Sequence, residues 1–407
     1  MKTKEKTLKE PLFHISKRSK TSLPVWAVVL IKLGSVLGGL IISSLVLLII
    51  AGINPVYFFT TLIDGNFGTD IRIWKLLKET FLLLGVGLAL IPAFKMKFWN
   101  LGGNGQILMG ALASAMCMYF LGVRKGWSDG AVIPLMIVSS IVAGAVWAVI
   151  PAIFKAFFKT NESLFTLMTN YIAVKFVAFF IKQNTTQGSS MGQITNAHLP
   201  VIGGEPTWLL IIIVALLTAL SFIYFKFSKH GYEISVVGDS ENTAKYAGIN
   251  VKKVLIRTMV LSGAICGLIG LIIAGGFDYS VSTESAQNMG FTAIMVAWLG
   301  KLNPLLMIAT SFFIAFTNTG MGNVKKEFDL YNSSISNVVL GLIYFIVIAA
   351  EFFITYQIKF RKKKKAELEM INAKVDSDET ETAVEVEKTT PVSKEEVKEN
   401  IEGGIKE

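Results

Sequence analysis

Charged side chains are scarce in this chain. Asp, Glu, Lys and Arg make up 17% of its 407 residues, while hydrophobic residues make up 52%. Soluble domains carry about a quarter charged residues, so this balance excludes an ordinary soluble protein and indicates an integral membrane one. Cysteine is almost absent. Cys117 and Cys266 each lie within an apolar run and read as small packing residues rather than a disulfide or a metal pair. The three histidines, His14, His198 and His230, fall in the N-terminal tail or in loops, which excludes a metal cluster inside the membrane. No H-E-x-x-H, G-x-S-x-G or G-x-x-x-x-G-K-[ST] pattern occurs. The chain is therefore not expected to be an enzyme or to hold a cofactor, and any nucleotide hydrolysis it serves belongs to another chain.

What the sequence does have is a net charge of +10, unevenly placed. The excess gathers at the N-terminus, in a few short loops and in the Arg361–Lys365 run. That is the pattern of cytoplasmic loops facing anionic lipid, and no nucleic acid is needed to explain it. Apolar runs alternate with these loops at 33–52, 80–94, 101–121, 131–154, 163–181, 207–227, 254–275, 286–299, 303–319 and 335–358. The pattern predicts an all-α integral membrane protein, a polytopic bundle of about ten transmembrane helices.

The expected organisation is a cytoplasmic N-terminal segment 1–24, a transmembrane domain 25–358, and a basic stop with a disordered cytoplasmic tail over 359–407. Residues 56–75 read as a connection on the outer surface. Starting inside, the basic loops at Lys95/Lys97, Lys155/Lys159, Lys226–Lys253, Lys301 and Lys359–Lys365 all fall on the cytoplasmic side, and both termini with them. The loop 183–205, with no Lys or Arg, falls outside. Arg124/Lys125 and Lys325/Lys326 break the rule, partly offset by Asp129, Glu327 and Asp329. The 286–299 run is short and holds Asn288 and Gly290, the composition of a broken or re-entrant helix.

Three polar stretches interrupt the apolar pattern. Residues 226–257 form a basic loop in the middle of the membrane domain. Within it Ser240–Tyr246 reads as a short helix, capped by Asp239 or Ser240 and ended by Gly248. Such a loop is either a docking element for a soluble partner or a plain cytoplasmic connection. Trp99-Asn100-Leu101-Gly102-Gly103-Asn104-Gly105-Gln106 offers close backbone approach and amide donors and acceptors, which suit a small polar solute or a tight helix crossing. Asn161 and Glu162 either cap the next helix or begin an inward face with Thr166, Thr169 and Asn170. Lys175 in the same run is expected to snorkel or to find a partner.

Four motifs resemble the permease subunits of ATP-binding-cassette importers for nucleosides, within the wider ribose, simple-sugar and branched-chain amino-acid permease group. The family's F-N-I-G-x-E-G-Q run is matched by Trp99 through Gln106, and its N-E-x-x-x-T-L-M-x-N-Y-I by Asn161 through Ile172. Its cytoplasmic G-x-x-x-R-A-V-G-x-N-x-x-A-A-x-Y-A-G-I is matched by Gly238 and by Ala244 through Ile249. Its G-F-x-x-I-x-V-A-x-L-G-x-x-x-P is matched from Gly290 to Pro304. Asn104 stands where the family has Glu, Ser235 replaces a basic residue, and Thr243 replaces an Ala.

The resemblance spans roughly residues 33–358 and implies a type II importer-like fold in the plasma membrane, importing nucleosides by alternating access. It implies a second permease subunit, cytoplasmic ATPase subunits that bind the ATP, and an external solute-binding lipoprotein. The substrate path would involve Asn100, Gly102, Gly103, Asn104, Gln106, Asn161, Glu162, Thr166 and Asn170. The coupling element would comprise Gly238, Asp239, Glu241, Ala244, Lys245, Tyr246, Ala247 and Gly248. The alternatives are a simple-sugar permease of the same group and, in another class, an ion-coupled secondary transporter. The latter keeps carboxylates in mid-membrane, whereas nearly all acids here lie in loops or at helix ends.

Overall fold

Long apolar runs leave the backbone no partner but itself, so each closes into a helix. A computed structural model describes residues 13–17, 25–185, 190–330 and 335–360. Most of segment 1–24, Ser189 and the chain beyond 360 lie outside the described residues. In chain order the helices are α1 (Val25–Ala51), α2 (Pro55–Phe67), α3 (Asp70–Lys95), α4 (Gly103–Cys117), α5 (Asp129–Phe158), α6 (Glu162–Asn184) and α7 (Thr207–Phe227). They continue with α8 (Lys229–Asp239), α9 (Glu241–Tyr246), α10 (Val251–Ile272), α11 (Met289–Leu299), α12 (Pro304–Glu327) and α13 (Ile335–Thr355). Single π-helical stretches, Met118–Arg124 and Ile273–Phe277, extend α4 and α10.

Among the described residues nine helices are long and apolar enough to cross a membrane, and α11 is a shorter apolar helix of 11 residues. The expected all-α membrane fold is what is found. Three boundaries differ from the sequence expectation. Helix α3 starts ten residues before the apolar run at 80, because Asp70, Arg72, Lys75, Lys78 and Glu79 occupy its first turns. Most of the supposed surface connection 56–75 is therefore helical, as α2 and the start of α3. The basic loop is two helices, not one, with α8 preceding the expected short helix.

The chain divides into two compact units, Leu33–Ile348 and a second made from the two ends. In the second, the strands β1 (Phe13–Lys17) and β2 (Tyr356–Phe360) pair antiparallel, and Lys32 bridges Glu351 at 3.2 Å. The core of the first unit is built by α3, α4, α5 and α10, whose largest buried side chains include Leu82, Leu84, Leu88, Ile91 and Ile107. Where α5 crosses α10, Gly144 faces Gly263 and Gly267, so that a Cβ on any of the three would enter the backbone of the other helix. This is the small-residue contact by which membrane helices approach without an aqueous driving force. Both cysteines are free, and Cys266 is buried in this core.

Candidate functional site

Between α3 and α4 the backbone leaves helical geometry over residues 98–102, and its orphan groups need partners. The amides predicted from sequence supply them. Asn170 accepts from Gly105 N at 2.8 Å and donates to Leu101 O at 2.7 Å. Thr166 Oγ1 accepts from Leu101 N at 3.1 Å. Asn100 accepts from Gly102 N at 3.0 Å and from Gln106 Nε2 at 3.2 Å, and it donates to Ser262 Oγ on α10 at 3.3 Å. Asn100, Asn104, Gln106, Thr166 and Asn170 are all buried. The structure thus gathers Asn100, Gln106, Thr166 and Asn170 around the backbone of residues 99–105, Gly102 included, with Gly103 and Asn104 next to them at the start of α4. Thr169 turns elsewhere and bonds Thr166 O.

Asn104 links this network to α11. Its Oδ1 accepts from Gly290 N at 2.7 Å, and its Nδ2 donates to Asn288 Oδ1 at 3.4 Å. A Cβ on Gly290 would lie 2.5 Å from Asn104 N, so the beginnings of α4 and α11 touch. Asn288, not among the sequence candidates, caps α11 in a left-handed conformation at φ 57°. Its only sequence signal is an amide two residues before a glycine, in an apolar run too short to cross.

Asn161 and Glu162 stand at the start of α6. Asn161 is the N-cap, accepting from Leu164 N at 3.1 Å, and Glu162 pairs with Lys155 of α5 at 2.7 Å. Neither side chain joins the amide network, although Thr166 Oγ1 donates to the Glu162 carbonyl oxygen at 2.7 Å. Together with Lys97, Asp239 and Glu241, the Lys155–Glu162 pair borders a polar cavity of about 240 Å³ next to α8 and α9. Lys175 is exposed on α6, as a snorkelling side chain is.

The α8–α9 pair sits against the end of α3. Ser228 caps α8 through Gly231 N at 2.9 Å, and Ser240 caps α9 through Thr243 N at 3.3 Å. Gly248 takes φ +75° directly after α9, the left-handed position that glycine tolerates. Ile234, Val237 and Ala244 pack with Met96, Phe98, Val254 and Leu255 in a separate apolar cluster. Lys97 Nζ reaches Asp239 O at 3.5 Å, and Arg257 of α10 holds Glu233 of α8 at 2.8 Å. The hydrogen bond from Arg257 keeps the Glu233 carboxyl below its ordinary range. Of the eight residues singled out here, Gly238 and Ala244 face this chain, whereas Asp239, Glu241, Lys245, Ala247 and Gly248 are exposed, and Tyr246 is 93% exposed.

Comparison with known proteins bears on this arrangement. The family described as permease components of branched-chain amino acid transport systems matches residues 74–348. The chain is 28% identical to the guanosine ABC transporter permease protein NupP of Bacillus subtilis, covering 83% of this chain and 97% of that protein. It is 28% identical to the nucleoside ABC transporter permease protein NupB of Lactococcus lactis, covering 83% and 95%. It is 26% identical to the glucose ABC transporter permease protein TsgB13 of Haloferax volcanii, covering 83% and 92%. The matched segment runs from α3 into α13 and contains the amide network, the α8–α9 platform and α11. This chain belongs to the family of transport-system permease components and is a membrane protein of that kind.

Proposed function

We propose that the chain is the permease subunit of an ATP-driven importer of nucleosides, working by alternating access in the plasma membrane. The observation that carries the reading is the α8–α9 platform, anchored on α3 and α10 by its inner face and offering Tyr246, Lys245 and Ala247 outward. A rigid helix pair fixed to core helices can transmit a partner's movement into the bundle. Cytoplasmic ATPase subunits are the partner it suits, and they would bind the ATP, leaving this chain without a cofactor of its own. A second permease and an external solute-binding lipoprotein complete the assembly.

Both termini and the platform are assigned to the cytoplasm. The β1–β2 pairing supports a common side for the two ends by setting the chain before α1 beside the chain after α13. Asn100, Gly102, Gly103, Asn104, Gln106, Thr166 and Asn170 border the path and hold its irregular backbone in shape. Asn161 and Glu162 stand at its cytoplasmic end. The nucleoside assignment rests on the likeness to the two nucleoside permeases, and the likeness to a glucose permease supports a simple sugar as the second reading. Reconstitution with the partner ATPase and lipoprotein tests it. ATP-dependent uptake of labelled guanosine, uncompeted by glucose, is expected. Uptake of the sugar alone would replace the solute assignment, and uptake without ATP would overturn the class.

A further inference from the structure

Helix α11 enters the bundle from the middle. It runs beside α3 in the same direction: a Cβ on Gly87 would lie 3.8 Å from Ala293 O, and further along Phe94 meets Trp298 with ring centroids 6.2 Å apart. At a rise of 1.5 Å per residue, Asn288 lies about 20 Å from the Lys95 end of α3, which is itself about 39 Å long. The segment leading to it starts at the opposite end, where Tyr279 O accepts from Ile194 N at 2.8 Å and Val281 O accepts from Met191 N at 3.0 Å. Residues 278–288 thus carry non-helical backbone to about half the depth of the bundle. Such backbone is tolerated only when buried in protein or lining a water-filled cavity.

One face of α11 is left open. Gln287, Asn288, Phe291 and Trp298 are exposed, and Thr292 and Met295 are half-buried between them. Asn288, Phe291, Thr292, Met295 and Trp298 share one helical face by their spacing. Trp99 lies beside it, stacked on Trp298 at 5.5 Å with 20° between the rings. The Gln287 amide and Asn288 Nδ2 make no hydrogen bond among the described residues. Lipid at this depth would leave both groups unsatisfied, which a buried amide does not tolerate cheaply. Lipid is therefore a poor neighbour for this face, and its mix of amides and aromatic rings suits a water-filled path carrying a polar solute.

We infer that this face of α11, with Trp99, is the solute-reading wall of the translocation path. Resting on the importer reading above, it fits a solute with a planar, hydrogen-bonding base. The rings of Phe291, Trp298 and Trp99 offer stacking surface, Met295 adapts to shape, and the Asn288 amide reads polar edges. Asn104 fixes Asn288 from behind, so the reading group is pre-organised rather than recruited on binding.

The test is cysteine accessibility in the reconstituted importer, with Cys117→Ser removing the half-exposed native thiol. Asn288→Cys and Thr292→Cys are treated with a charged, membrane-impermeant thiol reagent on each side of the vesicle. Phe345→Cys on α13, where Phe345 is 69% exposed on a stretch without charged side chains, serves as the lipid-facing control. Expected is labelling of both path variants about tenfold or more faster than the control, slowed by the solute the wild-type importer carries. A KM for guanosine raised about five- to tenfold by Asn288→Gly, which keeps the left-handed backbone but removes the amide, would match one lost hydrogen bond. No labelling of either path variant, or labelling that the transported solute does not slow, overturns the wall. Wild-type uptake of a sugar and no nucleoside overturns the base-reading assignment and the solute reading before it, while accessibility still reports on the wall.

Discussion

Gly238→Ala adds a single methyl group where α8 meets the end of α3. The new Cβ would lie 3.1 Å from Lys95 C and 3.2 Å from Met96 Cα, with the Lys95 carbonyl oxygen closer still. All three are backbone atoms, so no side chain can rotate away. Comfortable carbon contacts need about 3.5–4.0 Å, so the α8 end has to withdraw by roughly 1 Å. Overpacking of this kind costs about 1–3 kcal/mol. The strain falls on a small cluster, where Val237 and Ala244 pack on Met96 and Phe98 and Lys97 reaches Asp239 O. The larger apolar core built by α3, α4, α5 and α10 is a separate cluster, so most of the bundle's packing is left in place. Gly238→Ala is therefore expected to insert normally, to keep most of its melting temperature in detergent, and to lose most co-purifying ATPase and solute-stimulated hydrolysis. Gly248→Asn, which preserves the left-handed conformation with nothing within 4 Å to strike, is expected to behave as wild type. Full ATPase association by Gly238→Ala would refute the claim that the seat of α8 on α3 positions the coupling surface.

Three further outcomes follow from the same geometry. Ala244→Asp buries an unpaired carboxylate in this chain's own cluster and should lower the melting temperature, whereas Ala247→Asp, at an exposed position, should leave melting unchanged and weaken ATPase binding alone. Asn170→Leu orphans Gly105 N and Leu101 O at about 1–3 kcal/mol each, so thermal unfolding in detergent should shift clearly downward. Because the hydrogen bond from Arg257 holds the folded Glu233 carboxyl below the ordinary glutamate range, its contribution is fully present above that range and lost as pH falls through the depressed pKa. The melting difference between wild type and Glu233→Gln should therefore hold constant from neutral pH down to about 5 and shrink only below about 4.5.

Much of this was legible in the sequence because bilayer physics is coarse. Runs of apolar residues marked the helices, Ser240 and Gly248 marked the ends of α9, and Asn288 with Gly290 marked the short α11. What stayed hidden depended on neighbours. The polar first turns of α3 disguised its true start. Nothing in the sequence showed that Gly231 and Gly238 of α8 serve close backbone approach, Gly231 against Tyr224 and Phe225, Gly238 against Lys95 and Met96. The amides of residues 100–106 announced polarity but not its use, which is to satisfy a backbone unwound between α3 and α4. Ala244 and Ala247 looked alike in the motif, and only packing separates the buried one from the exposed one. Asn288 escaped notice as a site residue because its role depends on a left-handed backbone and on Asn104, 184 positions away.

The central claim is that α9 is where this permease meets its energy source, and a photo-reactive phenylalanine analogue in place of Tyr246 tests it most directly. Tyr246 is 93% exposed on the platform, so the substitution disturbs no packing in this chain. Irradiation of the assembled importer should capture an ATPase subunit in high yield, and Gly238→Ala should remove most of that capture. An importer that transports normally while the probe at position 246 captures no ATPase subunit would contradict the account.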